Sequence, residues 1–105
     1  MIGQLDLSNW YVKKMKMKIE LQNKVALITG SSKGIGKAIA IALAKTGCQV
    51  ILTARDQKEL STAVQEIKNE GGKAISIASD LMKSNDVTRL IHQIITQFGT
   101  IDILV

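Results

Sequence analysis

The sequence predicts an α/β fold in which parallel strands alternate with helices. Three observations carry this. Short β-branched apolar runs recur four times, each of the first three leads into a longer stretch with helical spacing, and glycines stand at most junctions. Strands alternating with helices pair in parallel and connect by right-handed crossovers. The order β-α-β-α-β-α-β occupies residues 19–105, and a chain of 105 residues is one domain at most.

Each element has its own reason. "KVALIT" (24–29) suits a strand buried on both faces. Ile35, Ile39, Ala42 and Leu43 fall on one face of a following helix, and Gly47 suits a left-handed stop after it. "QVILTA" (49–54) is a second strand. Asp56 and Glu59 form a D-x-x-E capping pattern for a helix that turns Leu60, Val64 and Ile67 inward, stopped by Gly71 and Gly72. "AISIAS" (74–79) is a third strand. Ser84 is the expected cap of a third helix, with Val87, Leu90, Ile91, Ile94, Ile95 and Phe98 on its apolar face and Gly99 at its end. "IDILV" (101–105) begins a fourth strand.

Composition narrows the class. Hydrophobic residues make up 46% and charged residues 22%, which fits a folded core rather than a disordered chain. The net charge is +5, but residues 1–18 hold four lysines (Lys13, Lys14, Lys16 and Lys18) against the single acid Asp6. We read 1–18 as an appended basic segment, expected to be mobile, with Met15 and Met17 as alternative starts. The remainder is nearly balanced, so nucleic acid is not the expected partner. No stretch is long enough to span a bilayer, and the N-terminus lacks the apolar core of a secretory signal, which makes the cytoplasm the expected location. Trp10 and two leucines are too thin an apolar face for a membrane anchor. The single Cys48 excludes an internal disulfide and a cysteine-based metal cluster, and it reads as a small buried apolar residue. No metal ligands are expected.

The stretch "TGSSKGIG", Thr29 to Gly36, joins the first strand to the first helix. A helix N-terminus at the carboxyl edge of a parallel sheet presents unpaired N–H groups that favour an anion. Gly30 suits a tight turn, Gly34 and Gly36 suit close approach and helix entry, and Ser31 and Ser32 offer hydroxyl donors. The stretch therefore reads as a cradle for a pyrophosphate. A nucleotide-triphosphatase loop fails, because Ile35 stands where its second Gly should be and Ala38 follows Lys37. The common G-x-G-x-x-G fingerprint also fails, because Ile39 stands at its third Gly. What remains is T-G-x-x-x-G-x-G.

That motif, carried by Thr29, Gly30, Gly34, Ile35 and Gly36, resembles the glycine motif of the short-chain dehydrogenases/reductases. The Asp80-Leu81 pair after the third strand resembles the family's D-[VL] pair, whose Asp contacts adenine. "IDILV" resembles the run that leads to its N-N-A-G motif. The resemblance covers residues 19–105 and looks nearest to the 3-oxoacyl-(acyl carrier protein) reductase-like branch. It implies the N-terminal half of a Rossmann-type doubly wound sheet, a nicotinamide cofactor, a small carbonyl or alcohol substrate and, in a complete member, a homo-oligomer.

NAD-specific relatives carry an acid at the end of the second strand, which bonds the ribose 2′-hydroxyl. Ala54 holds that position, Arg55 follows it, and Lys33 lies in the glycine loop. Two cations and no acid at the ribose imply NADP(H). Asp56 is the competing ribose acid, but its capping pattern accounts for it. The residues assigned to the cofactor are Gly30, Ser31, Ser32, Lys33, Gly34, Ile35, Gly36, Arg55, Asp80 and Leu81.

No catalytic residue can be assigned. The family uses a Tyr with a Lys four residues on. The only tyrosine is Tyr11, with Met15 at that spacing, and it precedes the fold. His92, the sole histidine, has no partners for catalysis. Two readings follow: a truncated NADP-dependent oxidoreductase present as its cofactor-binding part, or a non-catalytic nucleotide-binding module.

Overall fold

The computed structural model describes residues 21–105. The appended basic segment 1–18 lies outside the described residues. The elements are β1 (Val25–Thr29), α1 (Gly34–Ala44), β2 (Gln49–Ala54), α2 (Gln57–Asn69), β3 (Lys73–Ala78), α3 (Ser84–Phe98) and β4 (Ile103–Leu104). The strands form one parallel sheet in the order β3-β2-β1-β4, with Leu27 opposite Ile51 and Leu104, and Ile51 opposite Ile75. The bonding beside β4 runs further than its two residues. The Asp102 N–H donates to the Val25 carbonyl, and the Thr29 N–H donates to the Val105 carbonyl.

Parallel pairing forces each connection across a face of the sheet, so β1 is buried on both sides. On one face Ala26 and Ile28 of β1 and Val50 and Leu52 of β2 meet α1 and α2 through Ala40, Ala44, Leu60, Ala63 and Ile67. On the other, Val25, Leu27 and Ile51 meet Leu90 and Ile94 of α3. The first two helices thus share one face, and α3 alone covers the opposite one.

Two helix faces differ from the sequence expectation. In α1 the buried residues are Ala40 and Ala44, whereas Ile39 and Leu43 are only partly covered and Ala42 is exposed. Ile35, expected in the core, is 81% exposed. The reason is the close seat of the helix on the sheet. A β-carbon at Gly36 would lie 2.5 Å from the Gly30 carbonyl oxygen and 3.1 Å from Ser31 Cα. Only small residues fit along that line, so the isoleucines flank it. In α3, Leu90 and Ile94 are buried as expected, but Ile91 and Ile95 are exposed.

The caps also sort themselves. Asp56 caps α2, its carboxylate accepting the Glu59 N–H at 3.1 Å. Ser84 does not cap α3: it is the first helical residue, and Lys83 before it supplies no side-chain bond. The carboxylate nearby belongs to Asp86, and it accepts the Asp80 N–H at 2.9 Å. Gly99 closes α3 in the left-handed region at φ 82°.

Cys48 is fully buried ahead of β2, and its thiol donates to the Lys24 carbonyl at 3.3 Å. Burial pushes the thiol's pKa up, and the Asp102 carboxylate adds to the rise. The thiolate is the reactive form. A disulfide exchange reagent should therefore label native protein far more slowly than unfolded protein. Equal rates would show that the β2 start is open.

Gly36→Ala should destabilise the fold. Alanine in a helix gains ~1 kcal/mol over glycine, but the forced retreat of backbone from backbone costs more. A net loss of ~1–3 kcal/mol is the usual scale of overpacking, measurable as a lowered denaturation midpoint.

Candidate functional site

A cleft of about 620 Å³ opens at the carboxyl ends of β1, β2 and β3. Six of the ten residues assigned from the sequence line it: Gly30, Ser32, Lys33, Arg55, Asp80 and Leu81. They come from three separate junctions, after β1, after β2 and after β3. The parallel sheet brings these together because all its strands end on the same side.

The first junction is shaped by its glycines. Gly30 and Gly34 have φ of 59° and 66°, a conformation that side chains rarely adopt. At Gly34 a β-carbon would meet no protein atom within 4 Å, so within the protein its requirement is conformational. Gly36 is the glycine that a protein contact requires, and its neighbour is the protein's own turn. Gly34, Ile35 and Gly36 form the first turn of α1 and do not line the cleft. That turn has no side-chain cap and no acidic residue, so the positive end of the helix dipole is left uncompensated there.

Ser31 departs from its expected role as a phosphate donor. It is fully buried, its hydroxyl donates to the Ile28 carbonyl at 2.8 Å, and its oxygen accepts the Thr53 N–H at 3.0 Å. The hydroxyl is thus engaged in joining the glycine turn to β2. Ser32, next to it, does line the cleft.

Thr53 and Ser79 were missed by sequence reasoning. Both are buried and both line the cleft. Thr53 Oγ1 donates to the Ile77 carbonyl at 2.7 Å and meets Ser79 Oγ at hydrogen-bonding distance. Ser31, Thr53 and Ser79 therefore make a buried polar seam under the cleft, running from the turn after β1 across β2 to the residue after β3. The one available signal was Thr53 itself, a hydroxyl directly after the apolar run Val50–Leu52 of β2.

The third junction is braced locally. The Asp80 carboxylate accepts the Met82 N–H at 3.0 Å, while the Asp80 N–H is held by Asp86. Leu81 and Met82 are exposed beside it, at 43% and 92%. Charge gathers at the second junction. Lys33 Nζ lies 3.8 Å from Glu59 Oε1, a surface ion pair of little energy, and the Lys33 side chain is 80% exposed. Arg55 is exposed and makes no ion pair among the described residues. Ala54, which carries no acid, ends β2 just before Arg55 and lines the cleft.

A doubly wound parallel sheet with an uncapped helix and a glycine turn at its switch point defines a dinucleotide-binding fold. The comparisons make this specific. The family model described as short chain dehydrogenase matches residues 24–105, and the chain belongs to the short-chain dehydrogenase/reductase family. It is 44% identical over 84 residues to the short-chain dehydrogenase/reductase homolog YusS of Bacillus subtilis, covering 79% of this chain and 77% of that one. It is 39% identical over 84 residues to the 3-oxoacyl-[acyl-carrier-protein] reductase FabG of Staphylococcus epidermidis, covering 79% of this chain and 34% of that protein. The crystal structure of a metagenomic short-chain oxidoreductase in complex with NADP superposes with a TM-score of 0.80 at 40% identity, covering 82% of this chain and 39% of that one. The chain thus spans about a third of the reductase and of the NADP complex. No helix among the described residues is long and apolar enough to cross a membrane.

The polar seam yields its own test. Thr53→Val keeps the shape of the side chain but removes both hydroxyl contacts. The expected loss is ~1–2 kcal/mol, the scale of a buried hydrogen bond. In a double-mutant cycle with Ser79→Ala the two losses should be less than additive, as read by denaturant titration. Full additivity would show that the two hydroxyls act independently.

Proposed function

We propose that this chain is the NADP(H)-binding part of an oxidoreductase that moves hydride between a nicotinamide and a small carbonyl or alcohol. The supporting observation is that Lys33 and Arg55, from different junctions, line one cleft in which Ala54 replaces an acid. Two cations without an opposing ribose acid suit a 2′-phosphate, to which an arginine makes strong directional bonds. The groups present fit the cofactor. The bare first turn of α1 and the glycine turn suit its pyrophosphate, Ser32 can add a hydroxyl, and Asp80 and Leu81 suit adenine. When bound, NADPH supplies the hydride. This chain's residues bind and orient it.

Residues 19–105 contain no tyrosine, so the acid/base pair implied by the family lies outside this fold. The substrate and a homo-oligomeric assembly belong, in this reading, to a complete enzyme, acting in the cytoplasm. A second reading, a non-catalytic nucleotide-binding module, draws on YusS, 77% of whose length the match covers. NADPH binding without oxidation is expected of this chain under either reading; oxidation of NADPH with a 3-oxoacyl thioester once the chain is joined to a segment carrying the family's Tyr and Lys would favour the first.

Arg55→Ala should weaken NADP(H) binding by ~1–3 kcal/mol, the scale of a hydrogen bond to a charged group, and leave NAD(H) nearly unchanged. Titration of the purified chain with both cofactors measures this. Equal losses for the two would overturn the assignment of Arg55 to the 2′-phosphate.

A further inference from the structure

Five charged residues line the cleft: Lys33, Arg55, Asp56, Glu59 and Asp80. Two of the three acids are engaged by backbone. The Asp56 carboxylate accepts the Glu59 N–H at the start of α2, and the Asp80 carboxylate accepts the Met82 N–H within its own loop. Glu59 is different. Its carboxylate contacts no backbone donor among the described residues, and it faces the Lys33 ammonium at 3.8 Å. It is also partly covered, its side chain 41% exposed against 80% for Lys33.

We infer that Glu59 is a specificity-determining residue of this site, one that restrains the preference for a 2′-phosphate by holding Lys33. The inference rests on the NADP(H) reading above. A phosphate that recruits Lys33 must either draw the ammonium away from Glu59 or accept the carboxylate as a close neighbour. Both oppose binding, the first by breaking an ion pair and the second by like-charge repulsion. A ligand without the 2′-phosphate meets neither cost. Glu59 thus selectively opposes the ligand that Lys33 and Arg55 favour, and brings the two cofactor classes closer together in affinity.

The test is calorimetric titration of the full chain with adenosine 2′,5′-bisphosphate and with 5′-AMP, for wild type and Glu59→Gln. Glutamine keeps the length of the side chain and the backbone N–H that Asp56 accepts, and circular dichroism checks that α2 persists. Removal of one exposed like charge should tighten the bisphosphate ~3–10-fold at low salt and leave 5′-AMP unchanged. The gain should shrink at high ionic strength, where such charges are screened. In a Lys33→Met background the part of the gain that comes from freeing the ammonium should be lost, and only the direct repulsion between carboxylate and phosphate should remain. Glu59→Ala should reproduce the gain if α2 tolerates glutamine poorly. Unchanged bisphosphate affinity in both Glu59 variants, with wild type still preferring bisphosphate to 5′-AMP, overturns the inference and leaves the cofactor reading standing. Wild type that binds neither ligand, or both equally with no bisphosphate gain in either Glu59 variant, overturns the cofactor reading itself.

Discussion

The Gly30 carbonyl occupies the space where a side chain at residue 36 would begin. This single close approach sets the seat of α1 on the sheet. It requires Gly36 at the contact and admits only Ala40 and Ala44 below it. It also brings the bare first turn of α1 beside the carboxyl end of β1, and so fixes one wall of the cleft. Helix dipoles act over about one turn, so a helix seated further away would have no electrostatic purchase on an anion at the turn. The packing requirement and the binding geometry are one constraint, met by the same glycine.

Much of the fold was legible because its signals are local. The D-x-x-E pattern at Asp56 and Glu59 names its own hydrogen bond. Gly47, Gly71 and Gly99 stand where the chain turns left-handed. The alternation of strands and helices leaves few topologies once right-handed crossovers are required, and the order β3-β2-β1-β4 follows. Other features were not legible because they depend on depth. Periodicity finds large apolar residues, yet α1 buries alanines, and Ile35 stands out in solvent. Spacing cannot tell a covered apolar face from an uncovered one, and so Ile91 and Ile95 were read as inward.

The site divides along the same line. Lys33, Arg55, Asp80 and Leu81 could be placed because each follows the end of a strand, and parallel strands gather their ends. The role of Ser31 could not be seen. A serine in a glycine loop reads as a ligand donor, and only the approach of β2 from 22 residues away reveals that its oxygen accepts a backbone N–H. Thr53 and Ser79 are similar, since a hydroxyl in a strand or just past its end becomes meaningful only when its neighbour across the sheet is known.

The buried seam has a consequence for motion. The Thr53 amide, which lies in the β1–β2 register, is also held by the Ser31 hydroxyl of the glycine turn. Its solvent exchange is therefore governed by the opening of that turn, not by fraying of the sheet alone. The Leu52 amide, one residue earlier in a fully buried stretch, lies within the regular ladder. The ratio of the two exchange rates is a local thermometer for the loop. A ligand seated in the turn would quench exchange at Thr53 while leaving its neighbour's rate nearly untouched.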